Sequence, residues 1–377
     1  MAARPTARPP AGLASQQVPL FVAFGSDDNG YSGLEGSGAG GGLHFLTELF
    51  AGRLNPAGTR NPATFDGVPL HYSFYVNTQY ITADADTSAY SVVREDPVWV
   101  KRAWREALEA GHEIGVHTHS HPHGREFTVA QWEDEMQRCI EILERPYAEE
   151  ETPGPRDLSP GLGVARDQLI GFRTPFLEYA DATLTAAQNQ GFAYDCSLEE
   201  GLQEDQNGRN FLWPYRLDHG SPGNPTIGPH PGLWEIPVYV FIVPPDEACE
   251  RLGVAPGLRT ALKRRQDYFD TTAGKITGMD WNLWCEFAMS PAEFLATIMY
   301  TVELRLSGNR APLTIGLHSE LYSDRQASSE CAATPAERRA ALESLVTYLQ
   351  QHEAVRIVSA WELLAWLRHP VPLGGAT

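Results

Sequence analysis

The stretch Glu113-Ile114-Gly115-Val116-His117-Thr118-His119-Ser120-His121 decides how this chain is read. Its first four residues suit a short strand, and three histidines then fall within five positions. Parallel α/β folds place ligands and reactive groups at the C-terminal ends of their strands. A strand that runs directly into packed imidazoles therefore points to that architecture and to a working rim.

The flanks agree. Upstream, Val100, Ala103, Trp104, Ala107 and Leu108 recur at helical spacing, and Gly111 ends the helix. Downstream, Thr128 and Gln131 make a capping box for a helix reaching about Leu143. The alternation continues in both directions. Strands are expected at 19–24, 70–76, 168–172, 192–195, 312–317 and 355–358, and a helix at 44–54. A further helix is capped by Asp181 and ends at Gly191. Others are opened by Ser290-Pro291-Ala292-Glu293, by Thr334-Pro335-Ala336-Glu337 and by Ser359. This is α/β with parallel strands. Two Pro/Gly-rich stretches, 152–163 and 219–232, read as long loops, and neither separates segments of different composition. The expectation is a disordered N-terminal arm, 1–18, and a single catalytic domain, 19–377, with long loops.

Composition narrows the partners. The chain has 377 residues, 42% hydrophobic and 20% charged, enough to bury a core. Its 29 basic and 48 acidic residues give a net charge of −19. That excludes nucleic acid and anionic membrane as main partners, and it tolerates a neutral or cationic substrate. No apolar run is long enough for a membrane span. The N-terminus lacks the apolar stretch of a signal peptide. Cys139, Cys196, Cys249, Cys285 and Cys331 form no C-x-x-C pair, which argues against a cysteine zinc site. One or two disulfides are allowed, with the pairing open.

Five expected strand ends carry chemistry: Ser26-Asp27-Asp28, His117 to His121, Arg173-Thr174-Pro175-Phe176, Asp195 and His318. Two imidazoles four residues apart plus a carboxylate are a catalytic zinc set that leaves one position for water. Adjacent aspartates suit a division of roles, one ligating and the other acting as base on the metal-bound water. His318 is available as an acid. Each piece has a plainer reading, and an aspartate pair alone suits a solvated turn. Their joint occurrence at strand ends carries the inference. His119 and His123 read as exposed loop histidines, the alternative being a second metal or substrate contact. His112 reads as a helix-end residue whose charge suits the dipole. Gly36, Gly38 and Gly41 fit G-x-G-x-x-G but start too far from the strand for a phosphate turn, so they read as a flexible loop. Trp99, Trp234, Trp281 and Trp284 are candidates for stacking on sugar faces, with 281–284 the favoured groove segment.

At these residues the sequence resembles the carbohydrate esterase family 4 polysaccharide deacetylases, the NodB-homology group. Gly25-Ser26-Asp27-Asp28 stands where the family has T-F-D-D. His117 to His121 matches H-[ST]-x-x-H, and Arg173 to Phe176 matches R-x-P-[YF]. Asp195-Cys196-Ser197 with Trp213 resembles the fourth motif, and Leu317-His318 the fifth. Leu212-Trp213-Pro214-Tyr215, Leu233 to Pro237, Asn309 to Pro312 and the Asn55-Pro56 step are similar to the chitin deacetylase-like branch.

The resemblance implies a distorted (β/α)7-type barrel and hydrolysis of acetyl groups on a polysaccharide, with N-deacetylation of chitin or N-acetylglucosamine oligomers foremost. It implies Asp28, His117 and His121 as ligands of Zn2+ or another divalent metal such as Co2+. Asp27 is implied as base, His318 as acid, Arg173 as orienter of Asp27, and Asp195 as the carboxylate tuning His318. The Phe176 backbone N–H is implied at the oxyanion, and Trp213 beside the acetyl group or sugar. The competing readings are an O-acetyl esterase on xylan or a similar glycan, and a catalytically silent carbohydrate-binding relative. The substrate class implies a secreted or cell-envelope location, with the cytoplasm left open. Oligomeric state is not legible.

Overall fold

The computed structural model describes residues 4–82, 95–148, 161–326 and 331–374. Residues 1–3 of the expected arm and 152–160 of the first expected loop lie outside the described residues. In chain order the strands are β1 (Leu20–Asp27), β2 (Ser73–Val76), β3 (Glu113–Val116), β4 (Gly171–Phe172), β5 (Tyr194–Asp195), β6 (Glu199–Glu200), β7 (Tyr215–Arg216), β8 (Trp234–Glu235), β9 (Val238–Tyr239), β10 (Phe241–Ile242), β11 (Lys275–Ile276), β12 (Leu313–His318) and β13 (Val355–Val358). The main sheet runs β12-β1-β2-β3-β4-β5-β8-β7, with β13 added on β1. All its pairs are parallel except β7 with β8. The result is a curled half-barrel of the expected α/β kind.

Every residue of β1 is buried, as befits a strand covered on both faces. One edge of β1 carries β12 along Val22–Asp27. The other edge carries β13 at Leu20–Ala23 and then β2 at Gly25–Ser26. Helices Gly42–Phe50, Pro97–Glu109, Val129–Glu144, Pro291–Ser307 and Pro335–Gln350 pack their apolar sides on this sheet. The capping boxes read at Thr128, Ser290 and Thr334 all form, and the cap read at Ser359 forms as a box with Glu362. Asp181 does not cap its helix. Ala180 holds that position, and Asp181 instead accepts from Gly228 N–H and His230 Nε2.

The two ends of the sheet are joined by irregular chain. Gly316 N–H donates to the Gly278 carbonyl, and Met279 bridges Gly316 in parallel. Thr314 Oγ1 donates to the Pro237 carbonyl and accepts from Tyr239 N–H. This register sets Asp280 beside the end of β12.

The described part of the N-terminal arm is held on the body, in contrast to the expected disorder. Trp213 N–H donates to the Thr6 carbonyl, and Asn309 Nδ2 to the Ala7 carbonyl. Composition alone could not reveal these distant donors. Cys285 and Cys331 form a disulfide, while Cys139, Cys196 and Cys249 are buried thiols. Among the described residues no helix is long and apolar enough to cross a membrane.

Candidate metal-dependent active site

A cavity of about 560 Å³ opens at the C-terminal ends of β1, β3 and β12. Asp27, Asp28, His117, His121, Phe176, Trp281 and His318 all line it. The strand β1 runs past Phe24, where the sequence pattern suggested an end, to Asp27. Asp27 and His318 are therefore paired neighbours in the sheet.

The backbone around this cavity is strained. Of the eleven non-glycine residues with positive φ among the described residues, six are Asp28, Asn29, Thr118, His121, Phe176 and Leu177. Such conformations persist only where surroundings enforce them. At the first loop, Asn29 Nδ2 donates to the Ser26 and Tyr75 carbonyls, and Gly30 N–H donates to Glu320 Oε1. At the second, Glu135 accepts from the N–H groups of His119 and Ser120, and Thr118 Oγ1 accepts from His121 N–H. At the third, Asp195 holds Ser197, whose hydroxyl accepts from Thr174 N–H.

Asp28, His117 and His121 each present one ligand atom, all within 4.8 Å of one another. Asp28 Oδ1 lies 3.1 Å from His121 Nε2 and 3.9 Å from His117 Nε2. His117 Nδ1 lies 2.7 Å from the Arg173 carbonyl. A carbonyl only accepts, so the proton sits on Nδ1 and Nε2 keeps its lone pair toward the cluster. Burial pushes the His121 imidazole down to about 4, so it is neutral near pH 7, as a ligand must be. Two imidazoles and one carboxylate fit a zinc-type divalent ion.

The two other reactive groups are each held by a buried partner. Arg173 donates from Nη1 to Asp27 Oδ1 at 2.7 Å. Its Nε donates to the Cys196 carbonyl at 2.9 Å, and its guanidinium lies 4.3 Å from the Tyr75 ring centroid. A Cβ on Gly25 would stand 2.9 Å from both terminal guanidinium nitrogens. Gly25, where the resembled motif has threonine, is what leaves Arg173 room to reach Asp27.

His318 Nδ1 lies 2.8 Å from Asp280 Oδ1, and its backbone N–H donates to Asp280 Oδ2 at 3.0 Å. Burial opposes the imidazolium, but the Asp280 hydrogen bond and charge outweigh it and raise His318 to about 10. The group is thus a proton carrier at neutral pH.

Three sequence assignments change here. Asp195 does not touch His318. It faces Glu235 across β5 and β8 and accepts from Ser197 N–H and Oγ. Burial raises Asp195 to about 6 and Glu235 well above the carboxylate range, so the two hold a proton between them. Asp280 has the place given to Asp195. Trp213 is buried, donates to the Asn309 carbonyl and packs on Trp366, away from the cavity. Trp284 is fully buried and stacks on Phe294 at 4.1 Å. Only Trp281 of the three tryptophans reaches the cavity, 44% exposed at the start of a π-helical turn, Asn282–Glu286. A π turn shifts the register of side chains and is frequent at functional sites.

Of the histidines read as exposed or dipole-paired, His123 is exposed as expected, whereas His119 and His112 differ. His119 is buried against Thr78 Oγ1. His123 stacks on Phe176 at 3.9 Å. His112 is buried against the Tyr72 ring, and burial drives it down to about 3, so it carries no charge for a dipole. Asn29, Glu135 and Asp280 were missed by sequence reasoning. The only signal for Asp280 was its place beside Trp281 in the segment already favoured as groove wall.

Comparison with known proteins fits this geometry. Residues 64–154, which include the His117 to His121 loop, match the family described as polysaccharide deacetylase. Among solved structures, a Mycobacterium smegmatis protein described as a polysaccharide deacetylase has 16% identity and a TM-score of 0.52, covering 98% of this chain and 94% of its own. The chain shares that protein's fold. Puue allantoinase has 17% identity and a TM-score of 0.47, with 98% and 95% coverage. A family 4 carbohydrate esterase from Streptomyces lividans has 16% identity and a TM-score of 0.27, with 48% and 64% coverage. No curated protein matches the sequence.

Proposed function

We infer that the chain is a divalent-metal-dependent hydrolase that removes acetyl groups from a polysaccharide, with residues 19–377 acting as one catalytic domain. The observation that carries the reading is the convergence on one cavity of the Asp28–His117–His121 cluster with Asp27 and His318, each of the latter fixed by its own buried partner. The polysaccharide deacetylase match supports the substrate class.

A divalent ion held by Asp28, His117 and His121 would lower the pKa of a bound water and polarise the acetyl carbonyl. Asp27, oriented by Arg173, takes the proton from the attacking water. His318, protonated through Asp280, gives a proton to the leaving amine or alcohol. The Phe176 N–H, in a turn of positive φ at the cavity wall, is proposed to face the developing oxyanion. Trp281 is proposed to stack on a sugar ring.

The preferred substrate is an N-acetylglucosamine polymer, on the resemblance to the chitin deacetylase-like branch, and a glycan of that kind favours a secreted or cell-envelope location, with the cytoplasm left open. The test is acetate release by zinc- or cobalt-loaded protein from N-acetylglucosamine oligomers, acetylated xylan and peptidoglycan. The reading expects release from the first and a loss of about 10²–10⁴-fold in Asp27→Asn with metal content unchanged. Release from xylan alone would make it an O-acetyl esterase. Silence on all three, with metal bound, would leave a binding protein.

A further inference from the structure

A second cavity, of about 340 Å³, lies on the opposite, N-terminal face of the sheet, at the start of β3. Glu113, in this lining, is four positions before His117 in the active site, about 13 Å along a strand. Trp361 stands on its wall with 43% of its surface exposed, whereas Trp104, Trp132 and Trp284 are fully buried. Its backbone N–H donates to Glu113 Oε2.

His112 also lines this cavity and is only 5% exposed. Tyr72 N–H lies 3.4 Å from its Nδ1. A backbone N–H only donates, so Nδ1 accepts and Nε2 carries the proton. Among the described residues no group takes up that Nε2. A buried donor left without a partner is destabilising, so the fold gains when a ligand or water oxygen meets it. Leu108 and Ile114 supply apolar surface beside it.

We propose that this cavity is a second glycan site that takes one acetamido sugar unit, its ring on Trp361, its acetyl oxygen accepting from His112 Nε2–H and its methyl against Leu108 and Ile114. An acetamido group joins a strong acceptor to a methyl, which is the pairing that the lining offers. The ring face supplies the C–H surface that stacks on indole. The assignment of an acetylated sugar rests on the proposed function. The site would tether polymer on the face opposite the reaction and hold it close to the enzyme.

The test titrates N-acetylglucosamine tetramer into Trp281→Ala protein, in which the exposed indole of the active-site cavity is gone. Saturable binding with a tryptophan fluorescence change is expected, weakened at least tenfold in Trp281→Ala/Trp361→Ala and partly restored in Trp281→Ala/Trp361→Phe. Trp361→Ala alone should release acetate from a dimer at the unaltered rate. Absence of saturable binding in Trp281→Ala, or equal binding with Trp361 removed, would overturn the second site. Acetate assays report separately: Trp361-dependent binding by a protein that releases no acetate keeps this site and removes the hydrolase reading.

Discussion

The two faces of the half-barrel solve opposite problems. The C-terminal rim holds Asp27, Asp28, His117 and His121 almost out of water, with six residues in left-handed backbone. The N-terminal face holds His71 on Glu362 at 2.8 Å and caps the starts of β2 and β3 with helix Ala360–Arg368, through Ser73 Oγ and Glu113. Strain and buried charge gather where a reaction needs preorganised groups. Ordinary caps and hydrogen-bonded carboxylates line the other face. The difference teaches where substitutions will hurt turnover and where they will touch only binding or stability.

The sharpest break of that contrast is at the metal cluster. Asp28→Ala, or chelation of the wild type, should abolish both metal content and acetate release, read by elemental analysis and acetate assay together. Retained metal in Asp28→Ala would remove it from the ligand set.

Asp280→Asn should come next. Removing the charge that raises His318 lowers its pKa, so the alkaline limb of kcat should move to lower pH, with kcat down about 10²-fold. Asp195→Asn should leave that limb in place, because its carboxyl serves Ser197 and Glu235. The same limb shift in both would undo the distinction drawn between the two carboxylates.

Gly25→Ala is expected to be milder. The new methyl must displace a guanidinium held by the Cys196 carbonyl, Asp27 and the Tyr75 ring. Misplacement of Asp27 should lower kcat about tenfold or more while metal content stays. Unchanged kcat would show that Arg173 shifts without consequence.

These contrasts also mark what the sequence could reveal. Strand ends and capping boxes were legible because they are local: periodicity at 100–108, Thr128 with Gln131, the histidines at 117–121. The cluster followed because its ligands stand at the ends of two neighbouring stretches of pattern. The partner of His318 was not local. Asp280 arrives through a single irregular bridge, Met279 to Gly316, that no pattern announces. Asp195 was chosen for the serine two residues on, which does bind it, but as a support for Thr174. Trp213 and Asn309, read from separate motifs, prove to be one scaffold contact, and Asn55 likewise clasps the Ile357 backbone from both sides. Motifs that look specific to a branch here hold loops and do no chemistry.

The smallest effect belongs to the N-terminal face. The Glu362 hydrogen bond raises His71 above its ordinary value, against burial, with His112 neutral beside it. A raised folded-state pKa means stability that is fully present below the unfolded value of about 6.5 and lost as pH climbs through the folded one. Both side chains are partly exposed, so screening should hold the contribution under about 1 kcal/mol. Glu362→Gln keeps a side chain able to accept from Ser359 N–H and removes the charge. Denaturant midpoints of wild type and Glu362→Gln should therefore differ at pH 5.5 and converge by pH 9, with kcat equal throughout. A gap that widens with rising pH would reverse the sign of the pair, and a change in kcat would mean that the two faces are coupled through β3.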